Sequence, residues 1–225
     1  MATSGTSDFN LEFDDMIVEA YERCGIEVRD GYDMKTAMRS INLLFAEWAN
    51  RGLNLWTIEQ RQVTLVAGTY QYSLPLDTVD ALSAVIRTNA GQSTQQDITV
   101  DRIGYAEYLH VPNKNTQSRP AQWFLQRTTT PQLFLYPAPD ATQTYVFRYY
   151  AVRRIQDAGT FTNTADVVFR FLPCLVAGLA YYLSVKKAPD RVQLLKAMYD
   201  EEFTRAANED RENSGYFAVP MYQSR

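Results

Sequence analysis

The residues able to do chemistry are few. One histidine, His110, stands in the stretch AEYLHVPN. A nucleophile–imidazole pair would have to be built on it, and no Gly-x-Ser-x-Gly elbow supplies the nucleophile. A lone imidazole after a short helical stretch usually serves structure or solvation, so His110 is given no catalytic role. Carboxylates cluster at Asp14-Asp15, Asp200-Glu201-Glu202 and Glu209-Asp210. Two carboxylates facing each other across a sugar would hydrolyse a glycoside, but these fall on helix faces and nothing in their spacing sets two across one cleft. Cys24 and Cys174 lie far apart, with neither zinc-ligand spacing nor a disulfide framework, which suits a reducing compartment. No glycine-rich loop is arranged to cradle phosphate. The expectation is a protein without a catalytic site, metal or cofactor.

Composition narrows the partners. Acids and bases alternate to a net charge of −4 with no Lys/Arg block, so a strong electrostatic grip on nucleic acid is not expected. Aromatic residues reach 13%, with 15 tyrosines. Tyrosine combines contact area with a polar tip and suits interfaces, although strands also favour it. The opening MATSGTSDFN has no basic start or apolar run, so no signal peptide is expected. The apolar run FLPCLVAGLAYYLSV, Phe171 to Val185, is shorter than the roughly 18–20 residues that cross a bilayer. It reads as a buried core helix, and no membrane partner is expected.

The elements that hold these residues follow from periodicity. A helix is predicted from about Asn10 to Cys24, with Phe13, Met16, Ile17, Ala20 and Tyr21 inward and Gly25 as its C-terminal cap. A second begins at Asp33 as N-cap, carries Met34, Ala37, Met38, Ile41, Leu44, Phe45 and Trp48 on one stripe, and closes at Gly52. The two are expected to pack as an antiparallel pair. The period then drops to two. QVTLVAGTYQYSLP reads as a hairpin turning at Ala67-Gly68-Thr69. Further strands are expected at ALSAVIRT, QDITVD, AQWFLQR, QLFLYP and TYVFRYYAV, interrupted by a short helix near Ile103 to His110. Together they suggest a small antiparallel sandwich. Helical spacing returns at Pro173 to Lys187, then after Pro189 with Val192, Leu195, Met198, Tyr199, Phe203 and Ala206 inward.

The fold class expected is α+β: a helical bundle formed by the N- and C-terminal helices, an inserted small antiparallel β-sandwich, and an extended C-terminal tail. The corresponding boundaries are 1–58 for the N-terminal helical pair, 59–157 for the β domain, 158–212 for the C-terminal helices and 213–225 for the tail. That tail is the most informative segment. Tyr216, Phe217, Val219, Pro220, Met221 and Tyr222 place apolar or aromatic groups at six of seven successive positions. Solvated termini are polar, because an exposed apolar segment costs solubility. The tail therefore packs on its own domain or docks on a partner.

The order helix pair, VTLVAGTYQYSLP, YAEYLHVPNKNTQSRPAQWF, LFLYPAPD, FRYYAVRRIQD and LPCLVAGLAYYLSVKKAPD resembles the head-to-tail adaptors of tailed bacteriophages, also called connector or tail tubular proteins, with the podovirus type nearest. Four features carry the likeness: Gly68…Tyr72…Leu74-Pro75; Arg119-Pro120 before an aromatic strand; Leu135-Tyr136-Pro137-Ala138-Pro139-Asp140; and the alanine-bearing late helix. Arg119 stands where the family more commonly has glycine. The resemblance implies a virion protein of the head–tail junction, made in the host bacterial cytoplasm. It implies a ring of about twelve copies under the portal protein that extends the channel for double-stranded DNA without reading its sequence, and that offers a platform to tail (nozzle or tube) proteins. It also implies that the C-terminal tail reaches along the portal. Two other readings compete. One is a carbohydrate-binding sandwich stacking sugars on Trp123, Tyr136 or Tyr149; the other is a cell-wall polysaccharide hydrolase working through carboxylates.

Overall fold

The computed structural model describes Gly5 and residues 11–29, 31–52 and 55–210. Two compact units emerge: a helical one from Met1–Asn50 and Asp157–Arg225, and a β-rich one from Arg51–Gln156. The fold is α+β, with helices toward both ends and sheets between them.

In the helical unit, α1 (Phe13–Cys24) buries Phe13, Met16, Ile17, Ala20, Tyr21 and Cys24. Its first amides are satisfied from outside the helix: Phe13 N–H donates to Asn163 O at 3.1 Å and Asp14 N–H to Phe161 O at 3.1 Å. Its end favours glycine through the backbone conformation, and the space beside it is taken by a movable arginine. Gly25 sits at φ 72° in the left-handed region, and a Cβ there would meet the Arg191 guanidinium at 2.7 Å. That guanidinium in turn donates to the carbonyl of Arg23 at 3.2 Å.

Helix α2 (Gly31–Arg51) begins two residues before Asp33, so Asp33 is not the N-cap. It lies in the first turn, buried, and pairs with Lys187. The inward side of α2 is accordingly rotated from the all-apolar stripe. Asp33, Thr36 and Ser40 are buried with Ala37, Ile41, Leu44, Phe45 and Trp48, while Met34 and Met38 are only half-buried. The physical reason lies on α4 (Leu172–Lys187), whose basic last turn supplies the partners. Lys187 reaches Asp33, and Lys186 donates to Ser40 Oγ at 2.7 Å.

The rest of α4 is buried nearly all round, through Cys174, Leu175, Val176, Ala177, Gly178, Leu179, Ala180, Leu183 and Ser184. It packs on α1 and on α5 (Val192–Glu209). Close approach is set by Gly178, where a Cβ would lie 2.9 Å from both Leu44 and Tyr199 side chains. Trp48 locks the centre: its indole N–H donates to Tyr199 Oη at 2.9 Å, and its ring meets Phe45, Phe171 and Phe203. On α5, Leu195, Tyr199 and Ala206 are buried. Val192 and Phe203 are half-buried and Met198 is exposed, so the buried stripe is narrower than the spacing suggested.

The β unit contains two four-stranded sheets. One runs β1 (Ile58–Thr64), β8 (Tyr145–Arg153), β3 (Thr78–Thr88), β4 (Gln96–Thr99); the other runs β2 (Gln71–Ser73), β7 (Gln132–Tyr136), β6 (Gln122–Gln126), β5 (Asp101–Arg102). The first is antiparallel throughout, while β5 pairs parallel with β6, so the second sheet is mixed. Inward residues of both sheets, among them Ala81, Ile86, Trp123, Leu133, Leu135, Phe147 and Tyr149, form one core.

The expected hairpin is not there. β1 pairs with β8 and β2 with β7, so VTLVAGTYQYSLP is a crossover between the sheets. Each flank finds a distant partner: Leu65 N–H donates to Tyr145 O at 2.9 Å, and Tyr70 O accepts from Leu135 N–H at 2.8 Å. Gly68 at φ 76° makes the corner and donates to Pro139 O. Tyr72 holds it closed, its hydroxyl accepting from Val66 N–H and donating to Thr69 O, both at 2.9 Å.

Candidate interaction surfaces

The fold gives several of the chemistry-bearing residues structural partners. The Arg170 guanidinium pairs with buried Asp210. Glu201 and Glu202 both serve Arg205, at 2.9 Å each, one turn along α5. Asp14 accepts from the amide of Asp15 at 2.9 Å, at the start of α1. These carboxylates are not brought across a common cleft. His110 is exposed at the end of α3 (Tyr105–His110). Cys24 is buried, its thiol donating to Ala180 O at 3.3 Å, and burial pushes its pKa up, away from thiolate nucleophilicity. Among the described residues, no group of three or more His, Cys, Asp or Glu is placed to hold a metal, and no helix is long and apolar enough to cross a membrane.

Two of the three candidate sugar platforms fail on burial. Trp123 is 1% exposed and Tyr149 2% exposed, both in the core between the sheets. Trp123 stacks edge-on against Phe147 at 5.8 Å, with the Arg102 guanidinium 5.2 Å from its ring. A face already covered cannot stack a sugar. Tyr136 is half-buried and opens the cis Tyr136–Pro137 bond. The segment after it is stitched down: Ala138 exchanges backbone hydrogen bonds with Thr116 and Ser118 at 2.9 Å, and Asp140 accepts from Thr142 and Tyr145. The Leu135–Asp140 motif thus builds a turn.

Each unit also exposes an apolar surface. In the helical unit a groove of about 800 Å³ runs along α1 and the start of α4. Leu11, Met16, Phe169, Leu172, Pro173 and Val176 form its apolar wall. Asp15, Glu19 and Arg23 form the polar side, with Glu19 and Arg23 paired at 2.8 Å. Phe169 is 66% exposed and Leu11 41%. In the β unit, α3 lies over the outer face of the second sheet. Tyr108 stacks on Phe124 at 5.6 Å and Phe124 on Phe134 at 5.8 Å, while Tyr105 and Leu109 stay about two-thirds exposed. A smaller hollow of about 180 Å³ opens there, lined by these rings and Lys114.

Neither surface was singled out by spacing. Phe169 belongs to VVFRFLPC, where it looks like the start of the core helix; only the 3-10 turn at Phe169–Phe171 turns its side chain outward while Phe171 goes in. Alternation in QWFLQ and QLFLY did carry a signal for the second surface. It puts Trp123, Leu125, Leu133 and Leu135 inward, leaving Phe124 and Phe134 for the opposite face. The tail residues Tyr216, Phe217, Val219, Pro220, Met221 and Tyr222 lie outside the described residues.

The family model described as SU10 adaptor protein matches residues 13–221. No curated protein matches the chain.

Proposed function

Since the chain belongs to the SU10 adaptor protein family, we propose that it is a structural virion protein of the head–tail junction, a ring of about twelve copies beneath the portal. The observation that carries this reading is the extent of the match, which runs through both units and takes in the tail as far as Met221. Two further features support it. Asp14, Glu201, Glu202 and Asp210 serve helix-end hydrogen bonds and ion pairs, and His110 is exposed at the end of α3. Each unit offers its own exposed apolar surface, as a subunit with unlike neighbours requires, because a closed ring is built from heterologous contacts.

In this reading the helical unit meets the portal, the β unit meets tail proteins, and Tyr216, Phe217, Val219, Pro220, Met221 and Tyr222 contact the portal or a neighbouring copy. The net charge of −4 per copy leaves the ring acidic, which lets duplex DNA pass through its channel rather than adhere. The subunit stays monomeric until portal surface is offered, and assembly is then cooperative.

Analytical ultracentrifugation of the chain, alone and with its virus's portal, tests this. A large complex that forms with the portal and weakens when the chain stops at Asn213 is the expected result. A monomer indifferent to the portal would overturn the adaptor reading. Stable rings without portal would overturn only the triggered assembly. The sugar-binding reading is not retained, given the burial of Trp123 and Tyr149.

A further inference from the structure

We propose that the groove along α1 and α4 receives the chain's own segment Tyr216–Tyr222 before assembly, so that the tail is latched to its own helical unit until a partner draws it away. The proposal deepens the adaptor reading by giving the tail a place before the portal is met. Its molecular content does not depend on the portal.

The exit point of the tail carries the argument. Helix α5 ends at Glu209, and the next residue, Asp210, is buried and held by Arg170. Arg170 directly follows Phe169, an apolar groove side chain that is 66% exposed. The chain therefore leaves the described structure tied to the turn that forms the groove's wall. Six peptide steps separate Asp210 from Tyr216, a reach of about 20 Å when extended. The run Tyr216–Tyr222 is itself about 20 Å long when extended. From Leu11 to Arg23 the α1 side of the groove spans roughly 18 Å, at the helical rise per residue. The segment can both reach the groove and fill its length.

The chemistry matches as well. Apolar groups at six of seven tail positions face a wall of leucine, methionine, valine, proline and phenylalanine. Each aromatic ring seated there favours the closed form by roughly tenfold or more. Arg211 and Arg225 bracket the run, and Asp15 lies on the groove's polar side, with Glu19 beside it already paired to Arg23. A second copy of the chain would have to supply the same segment at the cost of association. The tethered one is present at high effective concentration, which is why the occupant is assigned in cis.

The test uses the full chain without portal, carrying photoreactive benzoyl-phenylalanine at position 221. Irradiation is expected to join position 221 to Leu11–Arg23 or Phe169–Val176 of the same chain, with a yield constant over roughly a hundredfold range of concentration. Phe169→Asp, at a site exposed enough to leave the fold intact, is expected to lower that yield roughly tenfold. It should also speed chymotrypsin cleavage after Tyr216 or Phe217 by a similar factor; Leu11→Ser serves as an independent second variant. Products between chains that grow with concentration would assign the groove to a second copy and overturn the latch. So would products elsewhere, no product, or equal cleavage rates in all variants. Portal binding measured on the same samples separates this failure from failure of the adaptor reading.

Discussion

The helical unit and the β unit solve the same problem, a buried core with satisfied polar groups, in opposite ways. In the β unit the charged pairs stay at sheet margins. Arg61 joins Asp77 and Glu59 at the ends of β3 and β1, Arg87 joins Asp97 across β3 and β4, and Arg102 joins Asp80. The interior holds aromatic and aliphatic groups, with the threonines Thr57, Thr78 and Thr88 buried beside them and, among the described residues, no buried charged residue. The helical unit brings polarity inside, with Asp33, Thr36, Ser40, Ser184 and Asp210 all buried. A strand alternates faces every residue, so a charge is easily turned outward. A helix crowded on several sides has no such spare face, and α4 must meet three neighbours. Its basic last turn is accommodated by buried partners on α2. The difference teaches that the β unit is held mainly by its apolar interior and the helical unit by fit as well as by apolar area.

The sharpest way to break that comparison is to empty each core. Trp123→Ala removes the largest buried side chain of the β unit, and a loss of about 3–5 kcal/mol is expected in a urea titration. In the helical unit the informative change is the opposite one, adding a single methyl group. At Gly178 a new Cβ would lie 2.9 Å from Leu44 and Tyr199. Overpacking costs about 1–3 kcal/mol and alanine's better helix propensity returns up to about 1 kcal/mol, so Gly178→Ala is expected to destabilise by roughly 1 kcal/mol. A stabilised Gly178→Ala would show that the three helices separate easily, and fit would not be what holds them.

The same contrast explains what the sequence made readable. Alternation in QWFLQ and QLFLY, and the helical repeat of Phe13 to Tyr21, are local properties, and both match the burial found. Partner choice is not local. VTLVAGTYQYSLP has turn residues and flanking alternation, yet each flank pairs with a strand more than fifty positions away, β1 with β8 over seven pairs and β2 with β7 over three. Asp33 likewise has the composition of a cap, and only the arrival of Lys187 at the far end of α4 takes it inside. The sequence marks an apolar tail, which lies outside the described residues, and gives no sign of the groove, which exists only once α1 and the Phe169 turn are side by side.

A smaller effect probes the crossover itself. Tyr72→Phe keeps the ring and removes the hydroxyl that joins Val66 N–H to Thr69 O. The loss expected is about 0.5–1.5 kcal/mol, the net worth of such a hydrogen bond. Urea midpoints of the variant and the parent chain measure it. Were the loss as large as that of Trp123→Ala, the β unit would depend on its corner rather than its core, against the contrast drawn above.

The last test concerns the buried pair that sets the helical unit apart. The hydrogen bond from Lys187 holds the Asp33 carboxyl below the usual carboxylate range, helped by the Arg29 backbone N–H and opposed by burial. The folded-state pKa is thus lower than the unfolded value of about 3.9. The pair's contribution is therefore fully present above that unfolded value and is lost as pH falls through the folded one. Lys187→Met removes the cause of the depression. The stability gap between parent and variant, read from thermal midpoints, should be widest near neutrality and narrow steadily in acid. Asp77 gives the β unit a matching acid response, since Arg61 depresses it in the same direction. Asp77→Asn should therefore show the same narrowing. Should Lys187→Met leave the gap flat with pH while Asp77→Asn does not, the inward polarity of α2 would be passive filling. If both gaps narrow, charge acts in both units, buried in one and marginal in the other.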